Sequence, residues 1–382
     1  MTPALETFRL VAASILWPPS ARRVAAVRAA AAAGVDWAAV AAVARRHRVT
    51  ALAVDGMRRA GLDPPPDLVA AARAEAERAL FVAAETARLD RLLREAGLSP
   101  TTFKGAGLAL DAYGDVGLRH SGDIDLLIDE ADAPAAWAVL AANGYERLWP
   151  PGDMTGARLK TFFLIAKDSA FRHKAYRIRI DLHWRLSNSP RDAASGDRGL
   201  SVAGREVRTF DRDTQFVYLC EHAAHHAWMR LKWLADIAAL LEQTSDGGAA
   251  YWSEDGRRGS RLGVEASARL AARLMGANYP PAFPAKAGWR VRLLTAMAMR
   301  ALTAGGGVAE VHGTAYGAAL AALSEILTAR RAGPDRRDFV RLGFSIEDMI
   351  LAPLPDALHG LYPLLRAPLW LWRRATGFRA GH

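Results

Sequence analysis

Asp123-Ile124-Asp125 places two carboxylates one residue apart at the head of an apolar run, Leu126-Leu127-Ile128. On a β-strand successive side chains alternate between faces, so Asp123 and Asp125 point the same way, while Ile124, Leu126 and Ile128 do not share that face. Paired carboxylates at a strand start suit a hard divalent cation, which takes oxygen ligands and commonly brings phosphates with it. Such a pair arises often by chance, and its surroundings give it meaning. Upstream, Leu98 to Phe103 reads as a short strand, followed by Lys104-Gly105-Ala106-Gly107 and a helical run from Leu108 to Tyr113. A strand, a glycine turn and a helix start present backbone N–H groups and the positive end of a helix dipole to an anion. Gly105 permits close backbone approach, and Lys104 adds a point charge for a phosphate. The loop Arg119-His120-Ser121-Gly122 then leads directly into Asp123 and brings another cation and a hydroxyl.

A third carboxylate lies on a later segment. From Tyr176 to Trp184 the chain alternates, with Ile178, Ile180, Leu182 and Trp184 on one face and Arg177, Arg179, Asp181 and His183 on the other. That period predicts a half-buried strand. Asp181 among cations fits a catalytic edge that handles phosphate, and it equally fits an exposed strand face with internal ion pairing. Further on, His222, His225 and His226 stand at i, i+3 and i+4 and share a helix face. They are read as lining a nucleotide cleft or a helix–sheet contact, with zinc or iron ligation as the lesser alternative. Lys232 and Asp236 form either an intrahelical pair or a pair facing substrate.

Taken together, Lys104-Gly105, Tyr113, Arg119, Asp123-Ile-Asp125 and Ile180-Asp-Leu-His-Trp184 resemble the uncharacterised nucleotidyltransferase family of the DNA polymerase β-like superfamily. Two outer segments, Trp37 to Val49 and Leu219 to Ile237, are similar as well, so the resemblance spans roughly residues 35–245. It implies an α+β fold, a mixed sheet with helices, between an N-terminal helical region and a C-terminal helical domain. It also implies Mg²⁺, with Mn²⁺ as the second choice. Asp123 and Asp125 would bridge two ions and Asp181 would hold the second. Lys104, Gly105, Arg119, Ser121, Arg179, His183 and Lys232 would bind nucleotide and phosphate. The superfamily turn carries Gly followed by Gly or Ser. Here Ala106 follows Gly105, so a hydroxyl for the triphosphate is missing at that position.

Composition bounds the reading. The chain has 382 residues, enough for a large core and two or three domains, and its 51% hydrophobic content excludes general disorder. One cysteine, Cys220, excludes a disulfide framework and a cysteine-based zinc cluster and fits a reducing cytoplasm. The net charge of +10 favours an anionic partner, but its arginines are scattered in pairs with no aromatic-interleaved stripe. Leu10 to Trp17 follows Glu6 and ends at Pro18-Pro19, unlike a signal peptide. No segment reads as an integral membrane span. Leu358 to Trp372, rich in Leu, Pro and Trp and followed by Arg373-Arg374, reads as a packed terminal helix or as a membrane-surface segment.

Three parts follow along the chain: a helical region over 1–97, an α/β core over 98–210 and a helical domain over 211–382. Within the first, helices are expected over Arg22 to Ala33, Trp37 to Arg46 and Asp67 to Ala96. In the core, strands are expected at Thr101–Phe103, Ile124–Asp129, Tyr145–Leu148, Thr161–Ile165, Arg177–His183 and Glu206–Thr209. A helix is expected from Pro134 to Ala142, capped by Asn143-Gly144. Ser187 to Gly199 and Ser245 to Gly259 are expected as loops.

The expected activity is transfer of a nucleoside monophosphate from a nucleoside triphosphate, ATP foremost, to a hydroxyl of a small molecule or peptide, with release of pyrophosphate. A nucleic-acid acceptor is disfavoured by the dispersed charge. The resemblance also implies a link to peptide natural-product biosynthesis. The alternatives are a metal-dependent glycosyltransferase using the acidic pair and a catalytically silent nucleotide-binding module. The oligomeric state is not encoded in any motif.

Overall fold

The structure, a computed structural model, describes residues 3–186, 197–243, 261–328 and 336–378. Five helices come first: α1 (Pro3–Ser14), α2 (Ala21–Ala31), α3 (Trp37–His47), α4 (Thr50–Arg59) and α5 (Pro66–Glu95). The mixed region follows with β1 (Thr101–Thr102), α6 (Gly105–Tyr113), β2 (Asp123–Leu127), α7 (Ala133–Ala142), β3 (Tyr145–Trp149) and α8 (Gly156–Ile165). It continues through β4 (Asp168–His173), β5 (Arg179–His183), β6 (Asp197–Val202) and β7 (Arg205–Phe210). The remainder is helical: α9 (Arg212–His225), α10 (Leu231–Leu241), α11 (Arg261–Met275), α12 (Trp289–Leu302), α13 (Ala315–Thr328), α14 (Arg336–Gly343), α15 (Ile346–Leu351) and α16 (Tyr362–Thr376). The α+β class and its helical flanks are as expected.

The chain folds as two compact units. The first holds Met1–Ala87, Phe103–Gly122 and Ala194–Arg330. It is built from α1 to α4, the part of α5 up to Ala87, α6, the antiparallel hairpin β6–β7 and α9 to α13. Small residues let its elements approach. Ala79 and Ala83 of α5, Ala106 of α6 and Val202 and Val207 of the hairpin share one buried cluster. The tightest crossing is between α1 and α4. A Cβ built on Gly56 would lie 1.8 Å from the Ser14 carbonyl oxygen, which is backbone and has no rotamer to yield. Gly56→Ala is therefore expected to cost about 1–3 kcal/mol, the range for overpacking a tight interior. Denaturant unfolding measures it, and an unchanged midpoint would contradict this crossing.

The second unit holds Arg88–Thr102, Asp123–Ala193 and Arg331–His382. Its strands run in the order β3-β4-β5-β2-β1. β2 and β5 are parallel and the other pairs antiparallel. One face of this sheet is apolar: Ile124, Leu126, Phe171, Ile180 and Leu182 are all buried. Helices α7 and α8 supply aromatic cover. Trp137 stacks on Phe163 with centroids 5.2 Å apart, and its indole N–H donates to the Ser169 hydroxyl at 2.9 Å. Phe162 and Phe163 both pack on Trp184.

Thr161–Ile165, expected as a strand, forms the last half of α8. Its β-branched and aromatic residues gave a strand composition, but a short apolar run has no period that separates strand from helix. The turn-rich Pro150-Pro151-Gly152 breaks the chain upstream, and burial of Phe162 and Ile165 decides the outcome. Strand β4 was not anticipated, because Asp168, Ala170 and Arg172 give its second face no consistent polarity. The loop expected over Ser187–Gly199 lies outside the described residues through residue 196. Its last three residues, Asp197 to Gly199, begin β6. The Ser245–Gly259 loop lies wholly outside the described residues.

Candidate functional site

Strand register gathers the acids of the second unit. In the parallel pair, Asp123 stands opposite Arg179, Asp125 opposite Asp181 and Leu127 opposite His183. In the antiparallel pair, Asp168 stands opposite His183 and Ala170 opposite Asp181. Directly paired residues share a sheet face, so Asp123, Asp125, Arg179, Asp181, His183 and Asp168 all project from the face opposite α7 and α8. The apolar alternation Ile178, Ile180, Leu182, Trp184 is completely buried on the other side, as the period predicted.

The charges on this face are interlocked. The Arg179 Nε donates to Asp181 Oδ1 at 2.9 Å. His183 is 3% exposed and spans two carboxylates, with Nε2 3.4 Å from Asp125 Oδ1 and Nδ1 3.6 Å from Asp168 Oδ2. Lys167 Nζ lies 3.1 Å from the same Asp168 oxygen, Oδ2. Burial, followed by the charge of Asp125, pushes the Asp181 carboxyl above the ordinary carboxylate range, against the opposing pull of Arg179. Two carboxylates facing each other across parallel strands are the disfavoured arrangement that a cation relieves.

Among the described residues no three His, Cys, Asp or Glu side chains form a ready-made metal cage. The donor set nevertheless fits Mg²⁺, which is typically held by one or two carboxylates plus substrate phosphates and several waters, without a cage made only of protein. All the candidate ligands are oxygens, and two of them strain against each other. A stability consequence follows. Because the folded-state pKa of Asp181 is raised, its contribution is present below the unfolded carboxylate pKa and is lost as pH rises through the folded value. Mg²⁺ is therefore expected to raise the thermal midpoint at neutral pH, with a shift that shrinks as pH falls into the range where Asp181 is protonated. Scans at several pH values, with and without Mg²⁺, measure this, and a shift of the same size at every pH would contradict it.

In the first unit, α6 starts at Gly105, whose φ of +58° lies in the left-handed region that favours glycine. Lys104 occupies the N-cap position without a side-chain capping hydrogen bond, so the first N–H groups of α6 lack a side-chain cap. The Lys104 ammonium stands over the Phe103 and Tyr218 rings at 5.4 and 5.6 Å. The nearest atom to a Cβ built on Gly105 is the Ser121 hydroxyl, at 3.7 Å. Ser121 is 3% exposed, and its hydroxyl has no hydrogen-bond partner. A buried hydroxyl left unsatisfied costs about 1–3 kcal/mol, so the Ser121 O–H is left able to donate to an incoming acceptor.

Arg119, expected to meet phosphate, lies in a buried ion pair. Its Nε donates to both Asp236 oxygens at 3.0 and 3.1 Å and its Nη2 to Oδ2 at 3.0 Å, while the Tyr113 hydroxyl donates to Oδ1 at 2.9 Å. Asp236 is fully buried. This triad ties the loop carrying Ser121 and the end of α6 to α10. Burial, then the Asp236 charge, raises the Tyr113 phenol well above its usual range, so it remains a donor. Lys232 lies half-buried one turn before Asp236 on α10.

The outer segments brace the same helix. The Leu231 N–H at the head of α10 donates to His47 Nδ1 at 3.1 Å, and Arg46 donates from Nη2 to the Ala301 carbonyl at 2.9 Å. Burial, then the Arg46 charge, lowers the His47 pKa well below its ordinary value, so the ring stays neutral. His222 and His226 pack as rings: the His226 ring stacks on Trp233 at 5.0 Å and lies 5.3 Å from His312. They do not form a metal cluster.

Thus Asp123, Asp125, Asp181, Arg179 and His183 come together on one sheet face, and Lys104, Gly105, Ser121, Arg119 and Lys232 belong to the other unit. Asp168 was missed, because β4 itself carried no strand signal. The uncharacterised nucleotidyltransferase family model matches residues 33–279, and the chain belongs to that family. The family supports nucleotidyl transfer as the general activity, with a nucleotide as substrate. Comparison with curated proteins and with solved structures gives no match. No helix among the described residues is long and apolar enough to cross a membrane.

Proposed function

We propose that the protein transfers a nucleoside monophosphate from a nucleoside triphosphate, ATP foremost, to a hydroxyl of a small molecule or peptide. The observation that carries this reading is the acid face, where Asp125 opposes Asp181 in register and Asp123 follows on the same side. Asp123, Asp125 and Asp181 would hold Mg²⁺, or Mn²⁺ in its place, which when bound supplies charge neutralisation at the attacking and leaving oxygens. Asp181 is assigned as a ligand only. Burial and the Asp125 charge hold its carboxyl above the ordinary range without an ion, so it is the acid a bound cation relieves most. The acceptor's hydroxyl proton passes to solvent. The acceptor oxygen bonds to the α-phosphorus as the α–β bridging P–O bond breaks, and pyrophosphate leaves. His183 and Asp168 orient Asp125.

Lys104, the N-terminus of α6 and Ser121 are assigned to the triphosphate, with Arg179 adding positive charge. Ser121 supplies from a neighbouring loop the hydroxyl that Ala106 lacks. Arg119 acts through Asp236 to fix that loop, and Lys232 is assigned to the nucleotide. A cytoplasmic site of action goes with a nucleoside triphosphate substrate. A peptide acceptor from natural-product biosynthesis is the particular version suggested by the resemblance. Incubation with each α-labelled triphosphate, Mg²⁺ and hydroxyl-bearing peptide or metabolite pools tests the proposal. Pyrophosphate release together with a labelled adduct is expected. Transfer of a sugar from a nucleotide sugar, with no pyrophosphate, would overturn it in favour of the glycosyltransferase.

A further inference from the structure

Helix α16 buries Tyr362 and turns two of its three arginines inward: Arg366 Nη1 lies 3.2 Å from Asp348 Oδ2, and Arg373 Nε lies 3.0 Å from Asp348 Oδ1, a carboxylate 1% exposed on α15. At about 100° per residue, Leu364, Ala367, Pro368 and Leu371 fall on the side away from those pairs, and all four are exposed. Leu364 is 76% exposed and Leu371 60%. Trp370 and Trp372 lie about 100° to either side of Leu371 and are 47% and 60% exposed. A helix that spends two arginines on inward ion pairs and leaves Leu364, Leu371, Trp370 and Trp372 outside is built for an apolar surrounding on that outer side.

We propose that this face of α16 binds an anionic membrane surface, lying in the interface without crossing it. Three observations select a lipid interface. Indole rings flanking an apolar strip match the amphipathic boundary between headgroups and acyl chains. Pro368, inside the helix, has no N–H to give the Leu364 carbonyl, so the outer face keeps an acceptor that needs hydrated headgroups more than a dry protein contact. The charge is complementary: α16 carries no acid, and Arg374, outside the Asp348 pairs that engage Arg366 and Arg373, stands exposed at the rim, 4.9 Å over the Trp370 ring. With a net charge of +10, two copies of the chain repel each other, while anionic lipid attracts either one.

Co-sedimentation of the full chain with vesicles of phosphatidylcholine alone, and of phosphatidylcholine with phosphatidylserine, tests this. Binding about tenfold tighter to the anionic vesicles is expected, weakening with salt, as befits one or two arginines near a charged surface. A blue shift of tryptophan emission should accompany it. The exposed double substitution L364E/L371E should abolish sedimentation with an unchanged circular dichroism spectrum, and Arg374→Glu should reduce the preference for the anionic vesicles. Absence of binding to either vesicle would overturn the proposal. Binding unchanged in L364E/L371E would overturn it too. So would a concentration-dependent dimer in sedimentation velocity that the same double substitution dissolves, because the face would then belong to a second copy.

Discussion

Asp125→Asn is expected to reduce nucleotidyl transfer by about a thousandfold or more, corresponding to several kcal/mol of lost charge stabilisation at the reacting phosphate. The fold should survive. Asp125 is 6% exposed on a strand whose other face is packed by α7 and α8, and asparagine keeps its shape. Removing its charge also relieves Asp181, whose carboxyl is raised by burial and then by Asp125. The thermal midpoint without Mg²⁺ should therefore stay level or rise while activity falls. A purely structural acid pair predicts the reverse, a lower midpoint with ordinary turnover in the folded fraction. Measuring both quantities on one preparation separates the two readings.

The second large effect falls on stability. Asp236→Ala leaves the buried Arg119 guanidinium without its carboxylate and the Tyr113 hydroxyl without its acceptor. Breaking a buried pair by removing one partner costs about 3–5 kcal/mol, a large share of the roughly 5–15 kcal/mol that holds a domain folded. Unfolding in denaturant should show that loss. Replacing both partners with apolar residues, as in Arg119→Met with Asp236→Leu, should recover part of it, because no charge is then stranded. If Asp236→Ala leaves the midpoint unchanged, the triad does not hold the Ser121 loop.

Much of the acid face was legible in the sequence, because its information is local. Alternation from Ile178 to Trp184 and the one-residue spacing of Asp123 and Asp125 fix which side chains share a side, and the glycine turn fixes where α6 begins. What was not legible depends on partners distant in sequence. Arg119 looked like a free phosphate ligand until Asp236, 117 residues away, claimed it. Asp168 carried no signal because the polarity of β4 does not alternate, and only pairing with β5 brings it to His183. Thr161–Ile165 went wrong because helix and strand compete evenly for five apolar or β-branched residues until packing chooses. Likewise, Leu358 to Trp372 announced an amphipathic helix, but only the inward ion pairs with Asp348 show which face is left outside.

The most direct test is calorimetric titration of nucleoside triphosphate into the wild-type chain and into the D125N/D181N double variant, each with and without Mg²⁺. If the acid face holds a cation together with the triphosphate, the wild type binds tightly only when Mg²⁺ is present. The double variant should lose that Mg²⁺-dependent gain while remaining folded. Equal, Mg²⁺-independent binding by both proteins would contradict the assignment of Asp125 and Asp181 and the mechanism built on them.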